Sequence, residues 1–130
     1  MILIDSDVLI WLTRGHAGAK SRLMQIDPWR ISTITYLELA QGCRSKDELQ
    51  RIKRGLVAQH AQILPLTTAI SELALTLIDA HALADGLKLA DALIAATALE
   101  HNLVLLTGNT HSRCSSTARI RSSVSNGLVR

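Results

Sequence analysis

Three acidic residues stand where a buried segment would not ordinarily tolerate charge. The opening "MILIDSDVLIWL" runs Ile2, Leu3 and Ile4 straight into Asp5 and Asp7 before apolar residues resume. Glu38 follows the β-branched stretch "STIT" within "STITYLELAQG". Asp91 is the one charge inside "LADALIAATAL", and a helix apolar on every side is a buried helix. A buried carboxylate must be paired, protonated or bound to a cation, because leaving it bare in an apolar interior is costly. Each acid also has a purely structural use. Asp5 can cap a helix beginning near Val8. Thr35-x-x-Glu38 has the spacing of a capping box, and Lys88 can fold back onto Asp91.

Taken together the three acids favour a cation. Two carboxylates 4 Å apart repel by roughly 4 kcal/mol at an effective dielectric of 20, so a cluster needs neutralising charge. Hard oxygen ligands without His or Cys select Mg²⁺, with Mn²⁺ as the alternative. Such a site suits phosphodiester hydrolysis, in which a metal polarises the phosphoryl group and acidifies a water that a carboxylate orients.

The elements must bring these residues to one place. Residues 1–4 read as a buried strand, 8–14 as a helix broken near Gly15 and Gly18, and 19–26 as a short helix ending before Pro28. "WRISTIT" has strand chemistry and "TYLELAQG" turns helical. Ser45-x-x-Glu48 starts a helix over 46–60, and "AQILPLT" reads as a strand that Pro65 places at an edge or cuts short. An Ala/Leu-rich helix over 68–84, the helix "LKLADALIAATALEHN" and the strand "LVLLTGN" complete the series. Strands alternating with helices predict an α/β fold, a parallel sheet covered on both faces. Open sheets of this kind bind ligands beyond the carboxyl ends of their strands. Asp5, Glu38, Thr107 and Asn109 all fall at that edge, with Asp91 reaching in from the helix before the last strand.

Composition narrows the class. At 130 residues the chain fits one domain. Its core must be aliphatic, because Phe is absent and aromatic residues make up 2%. No apolar run approaches the roughly 20 residues that span a bilayer, so the expectation is a cytoplasmic protein with no membrane partner. Cys43 and Cys114 read as free thiols, and His16, His60, His81, His101 and His111 share no ligand spacing. The net charge of +3 is misleading. Of fourteen basic residues, Arg113, Arg119, Arg121 and Arg130 lie in 111–130 with no acid, which leaves ten against eleven acids and a net of −1 elsewhere. Residues 112–130 also hold six serines and no sustained apolar period. The chain therefore divides into a domain over 1–109 and an atypical Ser/Arg-rich tail over 110–130.

The motifs "ILIDSDVLIWL", "STITYLELAQG", "LKLADALIAATAL" and "LVLLTGN", in this order, resemble a PIN-domain ribonuclease, nearest to the VapC-like toxins of bacterial toxin–antitoxin pairs. The resemblance spans roughly residues 1–109. It implies a three-layer α/β/α sandwich with a short, mainly parallel central sheet. It also implies a Mg²⁺-dependent endoribonuclease acting on RNA, an antitoxin whose tail plugs the active site, and a homodimer. Carried over by residue, Asp5, Glu38 and Asp91 match the family's catalytic acids and its metal ligands, Asp5 and Asp91 foremost. Ser6, Asp7, Thr107 and Asn109 take supporting places. Asn109 stands where many members carry a fourth acid. Ser112 and Arg113 stand where members usually carry an acid or His and then an aromatic residue. The rival reading is a degenerate toxin that keeps the fold and binds its antitoxin or dimer partner without cleaving. A receiver-type phosphoacceptor would need adjacent acids after the first strand and a Lys after the last, and neither is present.

Overall fold

A computed structural model describes residues 1–107. Along the chain run β1 (Ile2–Ile4), α1 (Ser6–Thr13), α2 (Ala17–Met24), β2 (Arg30–Ser32) and α3 (Thr33–Gln41). They are followed by α4 (Lys46–Ala58), β3 (Gln62–Leu64), α5 (Thr68–Asp85), α6 (Leu89–Glu100) and β4 (Val104–Leu106). The strands form one sheet in the order β3-β2-β1-β4, and every pairing is parallel. The architecture is the α/β sandwich that the alternation of elements predicts.

The two-residue pleat sorts the core. Ile4 pairs in register with Ile31 and Leu106, and all three join a cluster closed by Val8, Leu9, Leu23, Leu39 and Leu56 from α1 to α4. Leu3 pairs with Leu105 on the opposite face, where Ile94 and Ala98 of α6 cover them. A third cluster seats α5 on α6, with Ile70, Ala74 and Leu77 against Ala92, Ala95 and Ala96. Small side chains on α6 let the two helices approach closely, which is why its Ala-rich face is buried.

Local chemistry sets the helix ends. Ser45 Oγ accepts from Glu48 N at 3.2 Å, and Glu48 Oε2 accepts from Arg44 N at 3.0 Å. The expected capping box is thus present, its return arm landing one residue early. α5 stops at Gly86, whose φ of +67° is a left-handed cap that suits glycine. His16 caps α2 through Nδ1, which accepts from Ala19 N at 3.0 Å.

Two expectations change. Strand pairing in "WRISTIT" ends at Ser32, and α3 begins at Thr33 despite its β-branched start. Ser32 is extended (φ −73°, ψ 152°), and its hydroxyl accepts from Ile34 N, so it is the N-cap. Glu38 is therefore the sixth residue of α3 rather than the third, and the Thr35–Glu38 capping box does not exist. Likewise α1 starts at Ser6, two residues before Val8. Among the described residues, no helix is long and apolar enough to cross a membrane.

Candidate acidic site at the carboxyl edge of the sheet

Asp5 follows β1 directly and is 4% exposed. It is the N-cap of α1, with Oδ1 accepting from Ser6 N at 2.7 Å. The hydroxyl of Ser6, itself buried, lies 3.0 Å from Glu38 Oε1 and 3.3 Å from Asp5 Oδ1. A hydroxyl has one proton, and the shorter contact gives it to Glu38. Ser6 thus links two carboxylates that stand 33 positions apart in the sequence, its amide donating to Asp5 and its hydroxyl to Glu38.

The elements explain the meeting. Parallel strands β1 and β2 end at the same edge, so the helices that follow them, α1 and α3, leave from neighbouring points and pack together. Glu38 is half-buried on α3. Asp91 is half-buried in the first turn of α6. Since α6 leads into β4, which is parallel to β1, its C-terminus lies at the amino edge of the sheet and its N-terminus at the carboxyl edge. The topology therefore puts Asp91 at the same edge as Asp5 and Glu38. Asp7 sits half-buried in the first turn of α1, and Thr107 follows β4 half-buried. Asn109, Cys114, His111 and the 110–130 tail lie outside the described residues.

The structure brings Asp5, Ser6 and Glu38 together by hydrogen bonds. It does not close the three acids into one ligand set: among the described residues, no group of three or more His, Cys, Asp or Glu side chains gathers as a metal site. The donor chemistry nonetheless fits a hard divalent cation. Mg²⁺ is commonly held by one or two carboxylates, with water and substrate phosphate completing its shell. Thr35, one turn before Glu38, is fully buried, and among the described residues its Oγ1 has no hydrogen-bond partner. Such an orphan hydroxyl is typical of a site that a further ligand or water completes.

Beside the acids lies a groove of about 800 Å³ between the first four helices. Leu9, Leu23, Leu39 and Leu56 form an apolar floor, while Arg14, Lys20, Arg44 and Arg51 stand around it. Glu38 and Glu48 are also part of its lining, so the groove reaches one of the two linked acids. Sequence reading missed this groove, because its wall comes from four helices that share no motif. It also missed Ser32, whose cap role was hidden by the strand propensity of its neighbours.

Comparison with known proteins follows the same line. A family model described as PIN domain matches residues 2–113. Among solved structures, the chain is similar to a toxin–antitoxin complex from Klebsiella pneumoniae at 34% identity and a TM-score of 0.73. That match covers 86% of this chain and 89% of the other. VapBC-1 from nontypeable Haemophilus influenzae is 26% identical, with a TM-score of 0.71 and 94% of each chain covered. FitAcB from Neisseria gonorrhoeae, at 24% identity and a TM-score of 0.71 over 89% of this chain and 93% of that one, is a likeness of fold alone. No curated protein matches the chain.

Proposed function

Given that this chain belongs to the PIN domain family, we propose that it is the VapC-like toxin of a toxin–antitoxin pair, a divalent-metal-dependent endoribonuclease that acts in the cytoplasm. The observation that carries this reading is Ser6 joining Asp5 to Glu38 at the sheet edge, through its amide to the one and its hydroxyl to the other. Asp5 and Asp91, with Glu38, would hold Mg²⁺ or Mn²⁺. When bound, the ion supplies Lewis acidity to a phosphoryl oxygen and lowers the pKa of a water. The residues do the rest. Ser6 fixes the Glu38 carboxylate by donating to Oε1, which leaves Oε2 to orient a water or receive its proton. Asp5, held by the amide of Ser6, cannot turn away from the edge. Thr107 stands at the same edge to contact the RNA backbone, and Asn109 would add an uncharged amide. The test is incubation of the purified chain with structured RNA and Mg²⁺, with and without a chelator. Cleavage that survives chelation overturns the metal reading. The degenerate-toxin reading draws on Ser112 and Arg113 in the tail, and it requires that no cleavage be seen under any metal.

The groove is the proposed seat of the antitoxin, since the Klebsiella pneumoniae and Haemophilus influenzae neighbours are toxin–antitoxin complexes. An amphipathic segment with an apolar face and acidic flanks matches an apolar floor with four bases at its rim. A segment lying there reaches Glu38 and can block the acids. Ile52 lines the groove and is half-buried. Ile52→Glu is expected to weaken binding of the co-encoded antitoxin at least tenfold in calorimetry, the cost of setting an unpaired charge against apolar surface. Unchanged affinity would place the antitoxin elsewhere.

A homodimer is the proposed assembly. On α5, Leu75 and Leu83 are 67% and 103% exposed, one turn either side of the exposed Asp79, and an assembly would take both leucines out of water. Light scattering is expected to give twice the 14.1 kDa chain mass, with Leu83→Glu shifting the population towards monomer. A monomer in the unaltered protein would refute it.

A further inference from the structure

We propose that Ser32 and Thr97 are positioning residues whose buried hydroxyls tie α3 to α6, setting where Glu38 and Asp91 stand relative to each other. This rests on the acid-site reading above. Both residues are 0% exposed. Their oxygens lie 3.5 Å apart although 65 positions separate them in sequence. Thr97 Oγ1 donates to Leu93 O at 2.8 Å, and Ser32 Oγ accepts from Ile34 N at 3.1 Å. Each hydroxyl has one proton. With the Thr97 proton placed on Leu93 O, the proton between the two oxygens is that of Ser32. At 3.5 Å this is a long polar contact, and it sets the Ile34 N–H to Ser32 bond beside the Thr97 to Leu93 carbonyl bond. The outer ends of the two bonds bracket the acids: Ile34 is four residues before Glu38, and Leu93 is two after Asp91.

Packing alone does not call for these hydroxyls. Thr97 lies among Ile94, Ala95, Ala96 and Ala98, where a valine would fill the same volume without a polar atom to satisfy. A threonine bonded back to its own helix offers no gain in helix stability. What the hydroxyl adds is direction. A polar contact between α3 and α6 adds a directional preference to their apolar packing. Groups bonded directly to metal ligands typically change affinity by about 10–100-fold when removed, and Ser32 and Thr97, acting one step further back through the helices, stand at the low end of that range.

The test is Mn²⁺ binding by calorimetry and electron paramagnetic resonance, at a temperature where every variant is fully folded. Thr97→Val removes one hydroxyl and keeps the shape. Ser32→Gly removes the other, and glycine is a tolerated N-cap. Each is expected to weaken Mn²⁺ binding about tenfold, and the double variant no further, because one tie can be broken only once. Thr97→Ser should bind like the unaltered protein. Wild-type affinity in both single variants overturns the proposal, as does a double variant whose loss is the product of the two. Should Thr97→Val not fold, Ser32→Gly set beside Thr97→Ser decides in the same way. Asp5→Asn separates the levels. If it too binds Mn²⁺ at full affinity, the acid site itself falls and the tie with it; if it loses the ion while Ser32→Gly and Thr97→Val keep it, only the tie falls.

Discussion

Asp5→Asn is expected to lower RNA cleavage by about 10²–10³-fold while leaving the melting temperature within a few degrees of the unaltered protein. The two halves of this outcome come from the two things Asp5 does. As N-cap of α1 it accepts a hydrogen bond from Ser6 N at 2.7 Å, and asparagine accepts the same bond about as well. The cap should survive. What asparagine cannot supply is negative charge for a divalent ion. A bound metal contributes several kcal/mol to a phosphoryl transition state, and each 1.36 kcal/mol is tenfold in rate, so a misplaced or lost ion costs about 10²–10³-fold. Asp5→Ala makes the control, because it removes charge and cap together. It should also lose about 1 kcal/mol of stability, a few degrees in melting temperature for a chain this size. Rate assays at saturating Mg²⁺, run beside calorimetric melting of both variants, check the prediction. Full activity in Asp5→Asn would leave Asp5 a cap and nothing more.

The same duality shows what the amino-acid order reveals and where it misleads. α6 was legible because a charge inside an apolar helix has few explanations, and the helix is buried at Ala92 and from Ile94 to Ala98. β1 and β4 were legible because short apolar runs flanked by polar residues have little else to become. The capping box that the Thr35–Glu38 spacing offered as a structural alternative for Glu38 is absent, because the helix had already begun at Thr33. Propensity favoured extending β2 through three β-branched residues. Packing of α3 against α1, α6, β2 and β3 overrode it, as tertiary context commonly does at element ends. The Ser32–Thr97 contact could not be read at all. No local pattern encodes a bond across 65 residues, and a serine before a threonine looks like any polar pair. The groove was hidden for the same reason, its lining being a property of assembly rather than of any one segment.

Truncation of Trp29 should cost the fold more than any surface change. Trp29→Ala is expected to destabilise the protein by about 3–5 kcal/mol in urea unfolding, the range for removing a large buried aromatic side chain. The residue is 4% exposed and packs in the cluster that includes Leu23, Ile31 and Leu56. Its Nε1 donates to Leu23 O at 3.1 Å, which pins the end of α2 to the entry of β2. Its own carbonyl accepts from Gln62 N at 2.7 Å, where β3 begins to pair. The other two aromatic residues, Trp11 and Tyr36, only border this cluster and are partly buried. Against a typical stability of about 5–15 kcal/mol, such a loss leaves the domain marginal. Trp29→Phe separates volume from hydrogen bonding, because it keeps a ring but removes the Nε1 donor, while Leu23 O still accepts from Ile26 N at 3.1 Å. The lost hydrogen bond should cost about 0.5–1.5 kcal/mol. An alanine variant within 1 kcal/mol of the unaltered protein would mean that α2 and β2 are held together elsewhere. The consequence reaches the acids, since β2 ends in the Ser32 cap that starts the helix bearing Glu38. Loosening Trp29 should therefore weaken Mn²⁺ binding even at temperatures where the remaining fold is intact.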